Sequence, residues 1–285
     1  MSNRNNEDRI GARMPDTNPP PVGDGPTNPL HFVTPTEFIE IPSKGIGYPK
    51  GHPLDGKDVI EIRYMTAKEE DILSSKTLLK KGIAIERFLE NVIIDKNIKV
   101  NSLLIGDKNA IIIGARSSGY GNIYETKVTC PKCETENTLN FDLNSASMYT
   151  PPENLEDMLV KKTESGNFLI KAPTSEFDIE VRLMRGQDEV DIVYNNQKKK
   201  KYNLKDSLVT DQYKRFIVSV NGYTDPKIIN YYIDNMPAAD SRHIRRTYKK
   251  VTPNVELKDQ FCCLSCGYEQ ELEVPLGADF FWPDR

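Results

Sequence analysis

Two Cys-x-x-Cys pairs constrain the fold of this chain more than any other feature of its sequence. The first reads Cys130-Pro131-Lys132-Cys133, the second Cys263-Leu264-Ser265-Cys266, and residues 134–262 lie between them. Each pair sits at the centre of the same pattern. Tyr124 to Val128 lead into the first, and Leu139, Phe141 and Leu143 leave it at strand spacing. Phe261 precedes the second, and Leu272, Val274 and Leu276 alternate after it. Period-two alternation on both sides of a short turn marks a β-hairpin. Two such hairpins placed face to face aim four sulfurs at one centre, the donor set of a closed tetrahedral zinc site.

The spacing has a physical cause. With two residues between the cysteines, the turn curls back so that both sulfurs face one ion and backbone N–H groups face the thiolates. Pro131 presets the first turn, and Gly267 follows the second pair with the freedom to take the left-handed backbone that ends such a turn. The first pair has Glu134 at that place, a departure from the pattern. The expected ligands are Cys130, Cys133, Cys263 and Cys266, and the expected ion is a structural Zn2+, since four thiolates leave no open position for chemistry. Cys262 is one residue too far from Cys266 to share the ion. Strand alternation turns it away, so it is expected to be a free, partly buried thiol. Four unrelated buried thiols are the alternative, which two matched hairpins in a chain of five cysteines argue against. In a cytosolic product such pairs read as metal ligands rather than disulfides.

The separation is longer than is usual in a zinc ribbon. The expected fold class is therefore α+β: a small helical region plus a split zinc ribbon of two β-hairpins, with an α/β domain inserted between the hairpins. Structural zinc contributes about 10–16 kcal/mol in small peptide sites, enough to staple the base of such an insertion.

Composition removes several function classes. A net charge of −4 and a pI of about 5.6 argue against a general nucleic-acid binder. No run approaches the ~18 apolar residues of a membrane span. The N-terminus has no apolar signal core, which leads us to expect synthesis in a cytoplasm. His31, His52 and His243 lie away from both cysteine pairs. There is no phosphate-binding Gly-x-x-x-x-Gly-Lys-Ser/Thr loop, no His-Glu-x-x-His and no Gly-x-Ser-x-Gly elbow. Acidic residues are scattered and give no catalytic pair. The chain is expected to have no enzymatic activity, no small-molecule substrate and no internal repeat.

Five segments are expected along the chain. Residues 1–30, with Pro19-Pro20-Pro21, form a polar extended arm that cannot bury enough apolar surface to order itself. Residues 31–121 combine strands, turns and three helices. Phe38, Ile39 and Ile41 precede the turn Pro42-Ser43-Lys44-Gly45, another turn spans Pro49 to Gly56, and a strand runs from Val59 to Tyr64. Thr66-Ala67-Lys68-Glu69 is a capping box for a first helix that stops at Gly82. Ile85, Phe88, Leu89 and Val92 mark a second, and Asp107 is read as the cap of a third that ends at Gly119-Tyr120-Gly121. Residues 122–143 are the first hairpin. Residues 144–254 are the inserted α+β domain, and residues 255–285 hold the second hairpin and a tail. Within the insertion, Phe168 to Ile170 and Phe177 to Leu183 read as a strand pair. Helical patterns follow at 190–194, 213–220, 228–233 and 239–249. Lys198 to Lys201 reads as a solvated helix end. Arg242, Arg245, Arg246, Lys249 and Lys250 form a basic helix face or complement an acidic neighbour.

Several stretches in order also carry a family likeness. Ile62-Arg63-Tyr64-Met65-Thr66-Ala67-Lys68-Glu69-Glu70-Asp71-Ile72-Leu73 is followed by Leu78-Leu79-Lys80-Lys81-Gly82, then Leu103-Leu104-Ile105-Gly106-Asp107-Lys108-Asn109-Ala110. Ala115-Arg116 leads through Gly119-Tyr120-Gly121 to Tyr124 and the first cysteine pair. Together with the Pro42–Gly45 turn and Tyr48-Pro49, these stretches resemble the baseplate hub protein family of T-even-like contractile-tailed bacteriophages. The likeness covers residues 36–143 and 255–276, and leaves 144–254 unassigned. It implies a structural role in the virion tail baseplate, with other hub and tail proteins as partners and synthesis in the host cytoplasm. The Thr66–Leu73 stretch is also similar to tail-assembly chaperones, so a transient assembly role is one alternative. A zinc-ribbon nucleic-acid binder is the second, kept open by the basic runs.

Overall fold

The computed structural model describes residues 34–152, 155, 160–202, 207–274, 276 and 278–281. The arm expected over residues 1–30 lies outside the described residues. Helix and strand are mixed: eight α-helices and twelve strands occur among the described residues, the strands in small antiparallel sheets.

The chain enters through β1 (Thr36–Glu40), which pairs antiparallel with β2 (Val59–Arg63). Ile60 and Ile62 face the core at alternate positions of β2. Four helices follow: α1 (Ala67–Ser74), α2 (Lys76–Lys81), α3 (Ala84–Val92) and α4 (Ile105–Tyr120). The capping box holds, with the buried Glu69 carboxylate accepting from the Thr66 N–H at 3.0 Å and from Arg63 at 2.7 and 2.9 Å. Three helices are expected here from sequence. The first is split at Ser75, whose extended backbone ends α1 and whose hydroxyl accepts from Leu78 N–H to begin α2. Gly82 and Gly121, both at positive φ, stop α2 and α4 as expected.

Asp107 is not the cap of α4, which begins two residues earlier at Ile105. It is buried and accepts from Ser43 N–H at 3.0 Å, Ser43 Oγ at 2.6 Å and Tyr48 Oη at 2.7 Å. Burial raises its pKa, and these three donors offset part of the rise. It thus pins the long 41–58 turn to α4.

Past α4 come β3 (Ile123–Thr129) and β4 (Glu136–Asp142), then β5 (Ser147–Tyr149). The strands β6 (Val160–Lys162), β7 (Phe168–Lys171), β8 (Asp178–Val181) and β9 (Ile217–Val220) form one antiparallel sheet in chain order. Helices α5 (Gly186–Lys201), α6 (Leu208–Phe216), α7 (Pro226–Asn235) and α8 (Ala238–Val251) go with it. The helical pattern read over 213–220 ends at Phe216: β-branched Ile217, Val218 and Val220 go into β9 instead. The chain then runs through β10 (Asn254–Glu256), paired with β5, and through β11 (Lys258–Cys262) and β12 (Glu269–Glu273).

Apolar side chains gather in two large clusters. One draws on residues 41–143 together with Val255, Leu257, Val274, Phe280 and Phe281 from the other end of the chain. The second lies within 155–251. They meet at the start of α4, where Ile105 N–H donates to Met184 O and Gly186 N–H to Leu103 O. Lys108 is buried there between Glu86 at 2.9 Å and Glu189 at 2.8 Å. A side chain at Gly106 would place its Cβ 2.1 Å from Pro253 O, so only glycine allows β10 to close on α4.

Candidate metal centre

The first hairpin pairs β3 with β4 from Ile123↔Asp142 to Thr129↔Glu136, and the second pairs β11 with β12 from Lys258↔Glu273 to Cys262↔Glu269. Their turns match bond for bond. Cys130 N–H donates to Thr135 O and Glu134 N–H to Cys130 O; Cys263 N–H donates to Tyr268 O and Gly267 N–H to Cys263 O. Gly267 has φ +65°, and Glu134 takes the equivalent left-handed conformation at φ +57°. The departure seen in the sequence therefore changes the residue and leaves the turn.

The two turns meet. The sulfurs of Cys130, Cys133, Cys263 and Cys266 all lie within 4.8 Å of one another. Cys130 Sγ is 3.7 Å from Cys266 Sγ, and Cys133 Sγ is 3.5 Å from Cys263 Sγ. A disulfide needs about 2.05 Å, so no pair is bonded. A zinc ion with Zn–S bonds of about 2.3 Å has sulfurs about 3.8 Å apart at the corners of its tetrahedron. Both cross-hairpin distances fall close to that edge, so the four residues fit a tetrahedral thiolate-bound ion. Cys130 and Cys263 are buried with Phe261 in a small apolar cluster that Val128, Leu139, Tyr268 and Leu272 border. Cys262 stands outside the group on β11; it is exposed, not partly buried, because its neighbours in the register are solvent-facing.

Proton affinities reflect the crowding. Burial opposes ionisation of Cys263, but backbone N–H groups of Cys266 and Ser265 outweigh it and bring the thiol down to about 6. The Thr135 hydroxyl and N–H lower Cys133. Tyr268 N–H pulls Cys266 down, yet burial and the sulfurs of Cys133, Cys263 and Cys130 push it up to about 12. Four adjacent thiols cannot all ionise in one place unless a cation offsets the repulsion.

One participant escapes a search for ligand spacing. Asn137 is buried on β4, and its Oδ1 accepts from Leu264 N–H at 3.0 Å while its Nδ2 donates to Thr135 O at 3.0 Å and approaches Cys263 Sγ at 3.6 Å. It belongs to the first hairpin and holds the turn of the second. Its only sequence signal is a polar residue on the inward-facing register of a strand.

The family model described as T4 bacteriophage base plate protein matches residues 47–282. The chain belongs to that family. The matched span takes in both hairpins and also residues 144–254, a block whose motifs alone carry no family likeness. No curated protein and no solved structure matches this baseplate family chain. Membership brings a structural role in the phage baseplate, at the virion tail and in assembly with other tail proteins. Among the described residues no helix is long and apolar enough to cross a membrane.

Proposed function

We propose that this baseplate protein is a non-enzymatic component of the baseplate hub, stapled by one structural Zn2+ held by Cys130, Cys133, Cys263 and Cys266. The convergence of four sulfurs from opposite ends of the chain carries the reading. A closed four-thiolate ion is a structural element, and binding it adds to folding stability. Its value here would lie in topology. The two hairpins form a split zinc ribbon, residues 144–254 form a domain inserted between them, and the ion fixes the entry and exit of that domain. Rigid surfaces would then be presented to neighbouring hub and tail proteins in fixed relation. Synthesis in the host cytoplasm suits thiols kept reduced until the metal arrives.

Elemental analysis of the purified full-length protein tests the ion. One zinc per chain is expected, lost in Cys130→Ser and kept in Cys262→Ser; zinc lost from the Cys262 variant alone would overturn the ligand assignment. Mass spectrometry of purified particles tests the hub role. The protein is expected in the virion, and its absence would favour a transient assembly chaperone. A nucleic-acid role would require salt-dependent affinity for DNA or RNA, which is not expected.

A further inference from the structure

Helix α8 has two unlike faces. Asp240, Ile244, Thr247 and Val251 are buried, and Ile244 and Val251 belong to the second apolar cluster. Arg242, Arg245, Arg246, Lys249 and Lys250 are all exposed. Their spacing lays them along one stripe, with like charges four residues apart at 242/246, 245/249 and 246/250, an arrangement that repels. Little within the chain relieves it. Among the described residues Arg242, Arg245, Arg246 and Lys250 have no ion pair. Lys249 has Glu256 at 3.6 Å, and Glu256 is itself bonded to Lys258 at 2.6 Å.

This stripe borders a groove of about 1190 Å³ between α5, α6 and α8. Its interior is apolar, made by Ile105, Met184, Ile192, Val193, Phe216 and Tyr248. Phe216 and Tyr248 stack with centroids 4.1 Å apart and planes 14° apart, so the floor is set before any partner arrives. Val193 is left 40% exposed on the wall. The volume exceeds the roughly 300–1,000 Å³ of small-ligand pockets, which favours a stretch of polypeptide over a metabolite. Two acids, Glu189 and Glu256, also line the groove, but each is already engaged, Glu189 by Lys108 at 2.8 Å. The result is a surplus of positive charge over an apolar floor, in a chain whose net charge is −4.

We infer that this groove docks a segment of another baseplate protein, with carboxylates facing α8 and apolar side chains packed on Phe216 and Tyr248. A nucleic acid would satisfy the rim but leave the aliphatic wall of Ile105, Ile192 and Val193 without a partner. The inference rests on family membership and does not depend on the metal.

Fluorescence anisotropy with the full-length protein tests it. Three labelled probes are used: a designed helical peptide with leucines on one face and glutamates on the other, the same peptide with lysines in place of the glutamates, and oligothymidylate. Saturable, salt-sensitive binding is expected for the glutamate peptide alone. Arg245→Glu with Arg246→Glu should weaken it by about tenfold or more, and Val193→Asp should weaken it too. Failure of the glutamate peptide to bind, equal binding of oligothymidylate, or undiminished binding by the charge-reversed variant would each overturn the inference. If that variant fails to fold by circular dichroism, the neutral pair Arg245→Gln and Arg246→Gln is read by the same criteria. Zinc content is followed in every variant and should not change, which keeps this result separate from that of the proposed metal site.

Discussion

The two cysteine hairpins have the same turn, but they are not held equally. The first has seven-residue strands and sends Tyr124, Phe141 and Leu143 into the main apolar cluster. The second has five-residue strands in which Phe261 alone is fully buried, and Phe261 packs against the cysteines rather than the main core. Apolar burial of order 25 cal/mol per Å² therefore anchors the first hairpin through its own strands, whereas the second depends on the sulfur centre, on Leu257 and Val274 at its base and on the partly buried Leu272. Identical local geometry can thus rest on different sources of stability, and removing the shared centre should separate them.

The largest effect should come from the sulfurs. Cys130→Ser or Cys266→Ser, or a strong chelator on the wild-type protein, removes the proposed ion and up to about 10 kcal/mol with it. Hydrogen exchange is expected to rise steeply over residues 258–273 and only modestly over 123–142. Equal loss of protection in both hairpins, or none in either, would break the contrast. Asn137→Ala comes next. It removes the acceptor of Leu264 N–H, a part-buried bond, at a cost of about 0.5–1.5 kcal/mol, and loosens the second turn although the mutation is in the first hairpin. Thermal unfolding and competition with a zinc indicator measure it; a drop in zinc affinity of about 10–100-fold is expected if Asn137 orients the ligands.

Much of this centre was legible because its determinants are local. A Cys-x-x-Cys turn and flanking alternation are short-range patterns, and they located both hairpins and the four sulfurs that the structure brings together. Most of what is not legible depends on distant partners. Asp107 has the residue type and position of a helix cap, yet Ser43 and Tyr48, far off in sequence, claim its carboxylate. Ser75 breaks one expected helix into two through its own backbone and hydroxyl, a competition that apolar periodicity does not report. Asn137 is called for by Leu264, across the gap between the two pairs. Cys262 shows the converse: alternation predicts that it turns from the other sulfurs, but its full exposure follows from β12, whose Glu269 opposite it faces solvent.

A smaller effect tests the backbone of the second turn. At Gly267 an added Cβ would meet nothing within 4 Å, so Gly267→Ala carries no steric clash and isolates the cost of φ +65°. A left-handed conformation costs a non-glycine residue about 1–2 kcal/mol, and the alanine recovers about 0.4–1 kcal/mol by restricting the unfolded chain. The net expectation is a loss of about 1 kcal/mol, read from denaturant midpoints at constant m-value.

The same position of the first turn should respond with the opposite sign. Glu134 already bears the left-handed cost at φ +57°, its side chain is exposed, and among the described residues it has no salt bridge or side-chain hydrogen bond. Glu134→Gly relieves the backbone and surrenders nothing on the surface, but glycine widens the unfolded ensemble. The two terms nearly cancel, leaving a gain of about 0.5 kcal/mol. Combined with Gly267→Ala, the change should restore about half of the lost stability if the two backbone effects add. Should Glu134→Gly instead destabilise the protein, the carboxylate would have a role in the first turn that its exposed position does not reveal, and the two turns would not be energetic equivalents.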